Sequence, residues 1–159
     1  MTVAIAADHG GYPLKEAILA YLREQGIPAR DFGTTDTNSV DYVPFAEQVA
    51  KAVAAGEYTF GILCCGTGIG MAMAANKIRG VRAANCMDYY ATRMTRLHNN
   101  ANVLCLGARV LGVDSALSFV EAFLNTPFSG EERHTRRIQQ IQDLENETVG
   151  AASGRPQTQ

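Results

Sequence analysis

The chain has 159 residues, 47% of them hydrophobic and 19% charged, with 15 glycines, four cysteines and no tryptophan. That length suits one domain whose folding buries roughly 70% of the unfolded surface, so neither a disulfide nor a metal staple is required. Fourteen basic against sixteen acidic side chains leave a formal charge of −2, which argues against a nucleic acid or an anionic membrane as partner, since proteins living on either are usually clearly basic.

Short apolar runs alternate with segments of helical period, the pattern of an α/β fold with a parallel sheet covered by helices. Thr2–Ala7 reads as the first strand. From about Pro13 a helix is expected, burying Leu14, Ile18, Tyr21 and Leu22 and stopping at Gly26. Ile27–Phe32 reads as a weaker strand and Gly33–Asp41 as a polar loop, followed by a helix marked by Phe45, Val49 and Val53 that stops at Gly56. Thr59–Cys65 is the most apolar strand; a glycine turn and a helix from Met71 to Lys77 follow. Gly80–Cys86 and Asn102–Leu106 complete five strands, with a helix over Tyr89–Leu97 between them. Ser115–Leu124 and a charged stretch over Glu131–Glu147 supply the last two helices. One domain is thus expected over residues 1–147, with Thr148–Gln159, poor in apolar residues, expected to be disordered. In such a fold ligands bind beyond the carboxyl ends of the strands, and every motif described below is expected at such an end.

The start of the chain does not read as a signal peptide: the apolar run into Asp8 is too short. Cys64, Cys65, Cys86 and Cys105 have no C-x-x-C spacing and two are adjacent, which suits a reduced cytosolic setting. Residues 58 to 76 carry no charge, yet Gly66, Gly68 and Gly70 cluster at their centre. That reads as strand, turn and helix, with no membrane span expected.

Three segments carry chemistry. Asp8-His9-Gly10-Gly11 follows the first strand and delivers an acid and an imidazole on a tight turn; the plainer reading is a strand-to-helix turn with Asp8 as the cap. Cys65-Gly66-Thr67-Gly68-Ile69-Gly70 brings a thiol to a strand end, before a turn whose successive N–H groups form an anion nest at a helix start. That field favours the thiolate, a base or nucleophile, and Thr67 is near enough in sequence to bond the sulfur. A small buried hydrophobe is the plainer reading of Cys65, as it is of Cys64, whose side chain alternates to the opposite sheet face. A dinucleotide fingerprint is a rival reading of the turn, but its glycines space as G-x-G-x-G, with Asp88 only a weak imitation of the ribose-binding acid. His98-Asn99 supplies a candidate acid/base and an oxyanion donor, although a lone histidine at a helix end is ordinarily a surface residue. Arg109 follows the fifth strand, and Arg133 and Arg137 stand at i and i+4 beside His134. Eleven of the fourteen basic residues are arginine, a bias that suits bidentate phosphate binding, while pairing with Glu131 and Glu132 is the plainer alternative.

Taken in order, Asp8-His9-Gly10-Gly11, Asp41-Tyr42, Cys65-Gly66-Thr67-Gly68-x-Gly70, Ala74-Ala75-Asn76-Lys77, His98-Asn99, Arg109 and Arg133-His134 with Arg137 resemble the ribose-5-phosphate isomerases of type B. The wider family includes allose-6-phosphate and galactose-6-phosphate isomerases. The resemblance implies a Rossmann-like αβα sandwich with a five-stranded parallel sheet and an extra C-terminal helix. It implies an aldose–ketose isomerase that needs no cofactor and no metal, acting on a small sugar phosphate as a homodimer or dimer of dimers with sites shared between subunits. Ribose 5-phosphate is the implied substrate, with allose 6-phosphate the six-carbon alternative; a nucleotide-binding module is the non-enzymatic one. Cys65 is then the base and His98, with Asp8, opens the ring. The N–H groups of Gly66, Thr67, Gly68, Ile69 and Gly70, with Asn99, hold the enediolate oxygens. Tyr42 contacts the substrate, and His9, Arg109, Arg133, His134 and Arg137 hold its phosphate. Two departures stand out: Asp41-Tyr42-Val43-Pro44 where the family commonly has Asp-Tyr-Pro, and one extra residue before Arg133. A branch of the family sharing that longer form replaces the cysteine by serine and carries a glutamate at the position of Met71. Met71 cannot act as a base, so the assignment stays with Cys65.

Overall fold

The computed structural model describes residues 1–152, with side chains as far as 147. The chain divides into two compact units, Met1–Phe128 and a second from Ser129 onward. In the first, five parallel strands, β1 (Val3–Ala7), β2 (Ala29–Asp31), β3 (Phe60–Cys65), β4 (Ala83–Asn85) and β5 (Val103–Gly107), form one sheet in the order β2-β1-β3-β5-β4. Strands β1, β3 and β5 are buried along their whole length, as their uninterrupted apolar sequences require of strands covered on both faces. The exposed edge strand β2 carries Arg30 and Asp31.

Helices α1 (Tyr12–Glu24), α4 (Tyr89–Asn99) and α5 (Val113–Asn125) cover one face; α2 (Val43–Ala54) and α3 (Ile69–Ala75) cover the other. Leu14, Ile18 and Leu22 of α1 join Ile5, Cys64, Leu104 and Phe123 in one core layer, while Val49 and Val53 of α2 join Leu63, Cys65, Met71 and Cys105 in the second. Cys64 and Cys65 do face opposite sides of the sheet. Tyr21 is only half-buried, and the stripe it was expected to share also buries Lys15, 1% exposed. Its ammonium pairs with Asp31 and donates to the Thr34 carbonyl, holding the start of the polar loop against α1.

Helix α3 begins two residues before the expected Met71, because Gly68 serves as its N-cap. Strand β4 is shorter than expected. Arg82 N–H donates to Asn102 Oδ1 at 2.8 Å and Asn102 Nδ2 to the Gly80 carbonyl at 2.9 Å, while the Asn102 backbone N–H still reaches the Arg82 carbonyl at 3.1 Å, so side-chain bonds take the place of part of the ladder there. In the second unit, α6 (Glu132–Ala152) runs past the expected end at Glu147; the remainder of the expected disordered tail, 153–159, lies outside the described residues. No helix among the described residues is long and apolar enough to cross a membrane.

Candidate active site

In this strand order the chain leaves β1 to one side for β2 and later returns to the other side for β3. Parallel sheets open a crevice at such a reversal, beyond the carboxyl ends. Ala7 pairs with Cys64 in the register, so Asp8 and Cys65 are the first residues to emerge on either side of it. Asp8 N–H donates to the Cys64 carbonyl at 3.2 Å, and Asp8 Oδ1 accepts from Gly11 N–H at 2.9 Å. The carboxylate, 7% exposed, thus closes its own turn and fixes the start of α1, whose N-cap is Gly11.

Cys65 is 5% exposed, and its Sγ accepts the backbone N–H of Gly68 at 3.1 Å. A donor aimed at sulfur stabilises negative charge there. The bond depends on Gly68 at φ +81°, a left-handed conformation, and on the absence of a side chain: a Cβ at that position would lie 2.4 Å from Asn85 Oδ1. The Thr67 hydroxyl accepts from Ile69 N–H at 3.3 Å; the sulfur takes its bond from Gly68, not from the expected threonine. Burial favours the neutral thiol at Cys64, Cys86 and Cys105. Burial pushes Cys64 well up, followed by the charges of Cys65 and Asp8, and burial likewise raises Cys105 and Cys86.

Arg109 and Tyr42 flank the turn. Arg109 N–H donates to the Gly66 carbonyl at 3.0 Å and Ala108 N–H to the Cys65 carbonyl at 2.9 Å. The arginine stem lies along Gly66, where a Cβ would be 3.5 Å from Arg109 Cδ, and its Nη2 comes within 3.5 Å of a Cβ built on Gly10. On the other side a Cβ at Gly70 would meet Tyr42 Cζ at 2.8 Å and Oη at 3.1 Å. The Val43-Pro44 departure therefore leaves Tyr42 in contact with the glycine turn. His9 Nδ1 accepts the Val40 N–H at 3.2 Å, which ties the polar loop to the end of β1.

His98 and Asn99 depart from expectation. They end α4 and precede β5, and so sit at the amino edge of the sheet. Gly61 N–H donates to the Asn102 carbonyl at 2.9 Å, and the Arg96 guanidinium stacks over Phe60, the first residue of β3. Roughly 17 Å of strand separates Phe60 from Cys65 at about 3.3 Å per residue. A segment before a parallel strand cannot also lie beyond its carboxyl end, so this motif lies at the opposite edge of the sheet from the one expected. His98 is half-buried and Asn99 exposed.

In the second unit Arg133 and Arg137 are exposed on α6, Arg133 Nε bonds Glu131 Oε2 at 2.9 Å, and His134 Nε2 is 4.0 Å from the same oxygen. The plainer reading of this run, pairing with Glu131, is thus realised for Arg133. Asn85 was not singled out in the sequence. Its Oδ1 is buried without a hydrogen-bond partner against the Cys65 turn, and its one sequence signal is an amide at the end of an apolar run. Among the described residues no cluster of three or more His, Cys, Asp or Glu could hold a metal ion.

The chain's residues 3–141 match the family described as Ribose/Galactose Isomerase. Ribose-5-phosphate isomerase B of Escherichia coli is 43% identical over 143 residues, 90% of this chain and 95% of that protein. The structure of Clostridium thermocellum ribose-5-phosphate isomerase B superposes with a TM-score of 0.91 at 47% identity, covering 93% of this chain and 99% of that one. That of Mycoplasma genitalium ribose-5-phosphate isomerase B with bound ribulose-5-phosphate gives 0.88 at 39% identity, covering 92% and 97%. With the glycine turn, its thiol and its flanking acid and arginine all in place along a chain matched over nearly its whole length, this protein belongs to the Ribose/Galactose Isomerase family.

Proposed function

We propose that the protein interconverts D-ribose 5-phosphate and D-ribulose 5-phosphate, with Cys65 as the base. The observation that carries this reading is the Cys65 sulfur receiving the Gly68 N–H at the switch point of the sheet. In the forward direction the thiolate takes the proton from C2 of the open-chain aldose. The C–H electron pair becomes the C1–C2 double bond, and O1 takes up the negative charge of a cis-enediolate. Donors aimed at that charge lower the barrier; the N–H groups of the Gly66–Gly70 turn beyond those given to Cys65 Sγ and Thr67 Oγ1 supply them, with the Asn99 side chain. The thiol returns its proton to C1 while the O2 proton passes to O1, giving the ketose. Before this, His98 protonates the ring oxygen as its bond to C1 breaks, and Asp8 receives the anomeric hydroxyl proton. Tyr42 contacts the sugar, and His9, Arg109, Arg133, His134 and Arg137 hold the phosphate.

Topology supports a site completed by a second copy of the chain. Cys65 and His98 belong to opposite edges of one sheet, and a two-fold dimer setting the carboxyl edge of one subunit against the amino edge of the other brings them together twice. In that assembly the cations of α6 serve the neighbouring subunit's phosphate. Four free cysteines fit a reducing, cytosolic setting.

The test is a direct assay of ribulose 5-phosphate formation, run beside allose 6-phosphate. Turnover of the pentose with the higher kcat/KM is expected, and absence of turnover overturns the reading. Preference for the hexose moves the substrate to six carbons while leaving the chemistry in place.

A further inference from the structure

The amino edge of the sheet holds an arrangement that the reaction as derived does not use. Arg96, in the last turn of α4, is 7% exposed, and no ion pair joins it to a carboxylate among the described residues. Its guanidinium carbon lies 4.7 Å from the Phe60 ring centroid and 5.5 Å from that of Phe123, and the two rings meet edge to face. One nitrogen, Nη1, donates to Asn100 Oδ1 at 2.9 Å and also to the Ala101 carbonyl. From the other side Arg82 Nε donates to the carbonyls of Asn99 and Asn100 at 3.2 and 3.1 Å. Asn100, gripped by both, is the one non-glycine residue with positive φ among the described residues, at +47°.

A cation removed from water without a carboxylate partner is costly. Stacking on two aromatic faces and the negative end of the α4 dipole offset part of that. A helix that merely had to stop more often uses glycine than asparagine at the left-handed position. This one uses an asparagine whose side chain an internal arginine holds, directly after His98 and Asn99. Two residues on from Arg96 the helix has turned by about 200°, so a residue anchored in the core directs one that faces away from it.

We propose that Arg96, backed by Arg82, is a positioning residue for His98 and Asn99: it locks the end of α4 in a single left-handed turn and so sets the direction in which those two side chains leave the helix. The proposal rests on the roles given above to His98 and Asn99. A displacement of about 1 Å at a reacting group can cost up to about a hundredfold in rate, so loosening this turn is expected to act on kcat more than on substrate binding.

The experiment uses the full-length protein and the variants Arg96→Lys, Asn100→Ala and His98→Gln. Arg96→Lys keeps a cation beside the rings and loses the planar group that stacks on them. Asn100→Ala keeps the stacked arginine, removes its side-chain acceptor and strains the left-handed turn at φ +47°, so a reading survives if either variant folds poorly. For both, kcat with ribose 5-phosphate is expected to fall by about tenfold or more with KM within about threefold of the parent. In imidazole 1H–15N spectra the His98 signals are expected to move or broaden while those of His9 stay in place. Folded variants with kcat within twofold of the parent, or a lowered kcat with His98 signals unmoved, overturn the proposal. His98→Gln separates the two claims: full activity in that variant removes the ring-opening role from His98, and the imidazole signals still decide whether Arg96 sets its position.

Discussion

At Cys65 the proposed base chemistry rests on one backbone donor and the glycine that supplies it. Replacing the thiol by a hydroxyl in Cys65→Ser is nearly isosteric but substitutes a far weaker acid. Kcat is expected to fall by about a hundredfold or more, with the thermal midpoint near that of the parent; a loss under tenfold in steady-state assays counts against the thiol as base. Gly68→Ala strikes the same bond from the other side. Its Cβ meets Asn85 Oδ1 at 2.4 Å and the Leu106 backbone at 3.0 Å, at a φ of +81°, so loss of both folding stability and rate is expected, the stability loss at about 1–3 kcal/mol. Gly70→Ala behaves differently, because what it meets is the Tyr42 ring, which is 40% exposed and can swing outward. Its expected signature is a raised KM with little change in thermal midpoint. Tyr42→Leu should raise KM similarly, and the double variant should add little to either single change, as residues in direct contact do. Additive effects in that cycle would separate the two residues.

The central strands are legible element by element because their apolar runs are unbroken, and the glycine turn because alternate glycines between an apolar strand and a helical segment mark the joint between them. What escaped is what long-range pairing decides. Nothing in the spacing of α1 marks Lys15 as internal; Asp31 and the Thr34 carbonyl, from the next strand and loop, make it so. Strand β4 reads as seven residues and forms as three, since the side chain of Asn102, 20 residues away in sequence, takes the Arg82 N–H from the ladder. The His9–Val40 bond uses a backbone donor and leaves no trace in residue types. The thiols of β3, the segment after β4, and β5 carry a further consequence at this scale. Burial raises Cys64, Cys86 and Cys105 above the ordinary thiol value, so the folded chain keeps protons that the unfolded chain releases above about pH 8.5. Their contribution is complete below that pH and is lost as pH rises towards the folded values, at about 1.4 kcal/mol per pH unit for each thiol. Urea unfolding between pH 8.5 and 10.5 should therefore show falling stability, with a shallower slope in Cys64→Ala. Comparing slopes within each variant removes the cavity cost of the substitution, and an unchanged slope would show that Cys64 does not titrate differently on unfolding.

For the whole molecule, the separation of Cys65 from His98 decides what the smallest active unit is. The two residues sit beyond opposite edges of one sheet, which no rotamer change can bridge across roughly 17 Å of strand. The site as proposed thus needs either a second copy or a different acid. Mixing Cys65→Ala and His98→Gln protomers distinguishes these. In the proposed dimer each single variant lacks one of the two groups at both sites. Random exchange of equal amounts makes half the molecules heterodimers, and each of those pairs an intact Cys65 from one chain with an intact His98 from the other at one of its two sites. Recovery of about a quarter of parental activity is therefore expected, appearing at the rate of subunit exchange and abolished when exchange is blocked by cross-linking each variant first. Were both groups supplied by one chain, every site in the mixture would contain a lesion, and activity would stay at the level of the separate variants however completely the subunits exchanged. Recovery of that size requires the two edges to meet across a subunit boundary, and its absence, with exchange demonstrated by mass-labelled protomers, would leave the acid to be sought among the residues already beside Cys65, with Asp8 first.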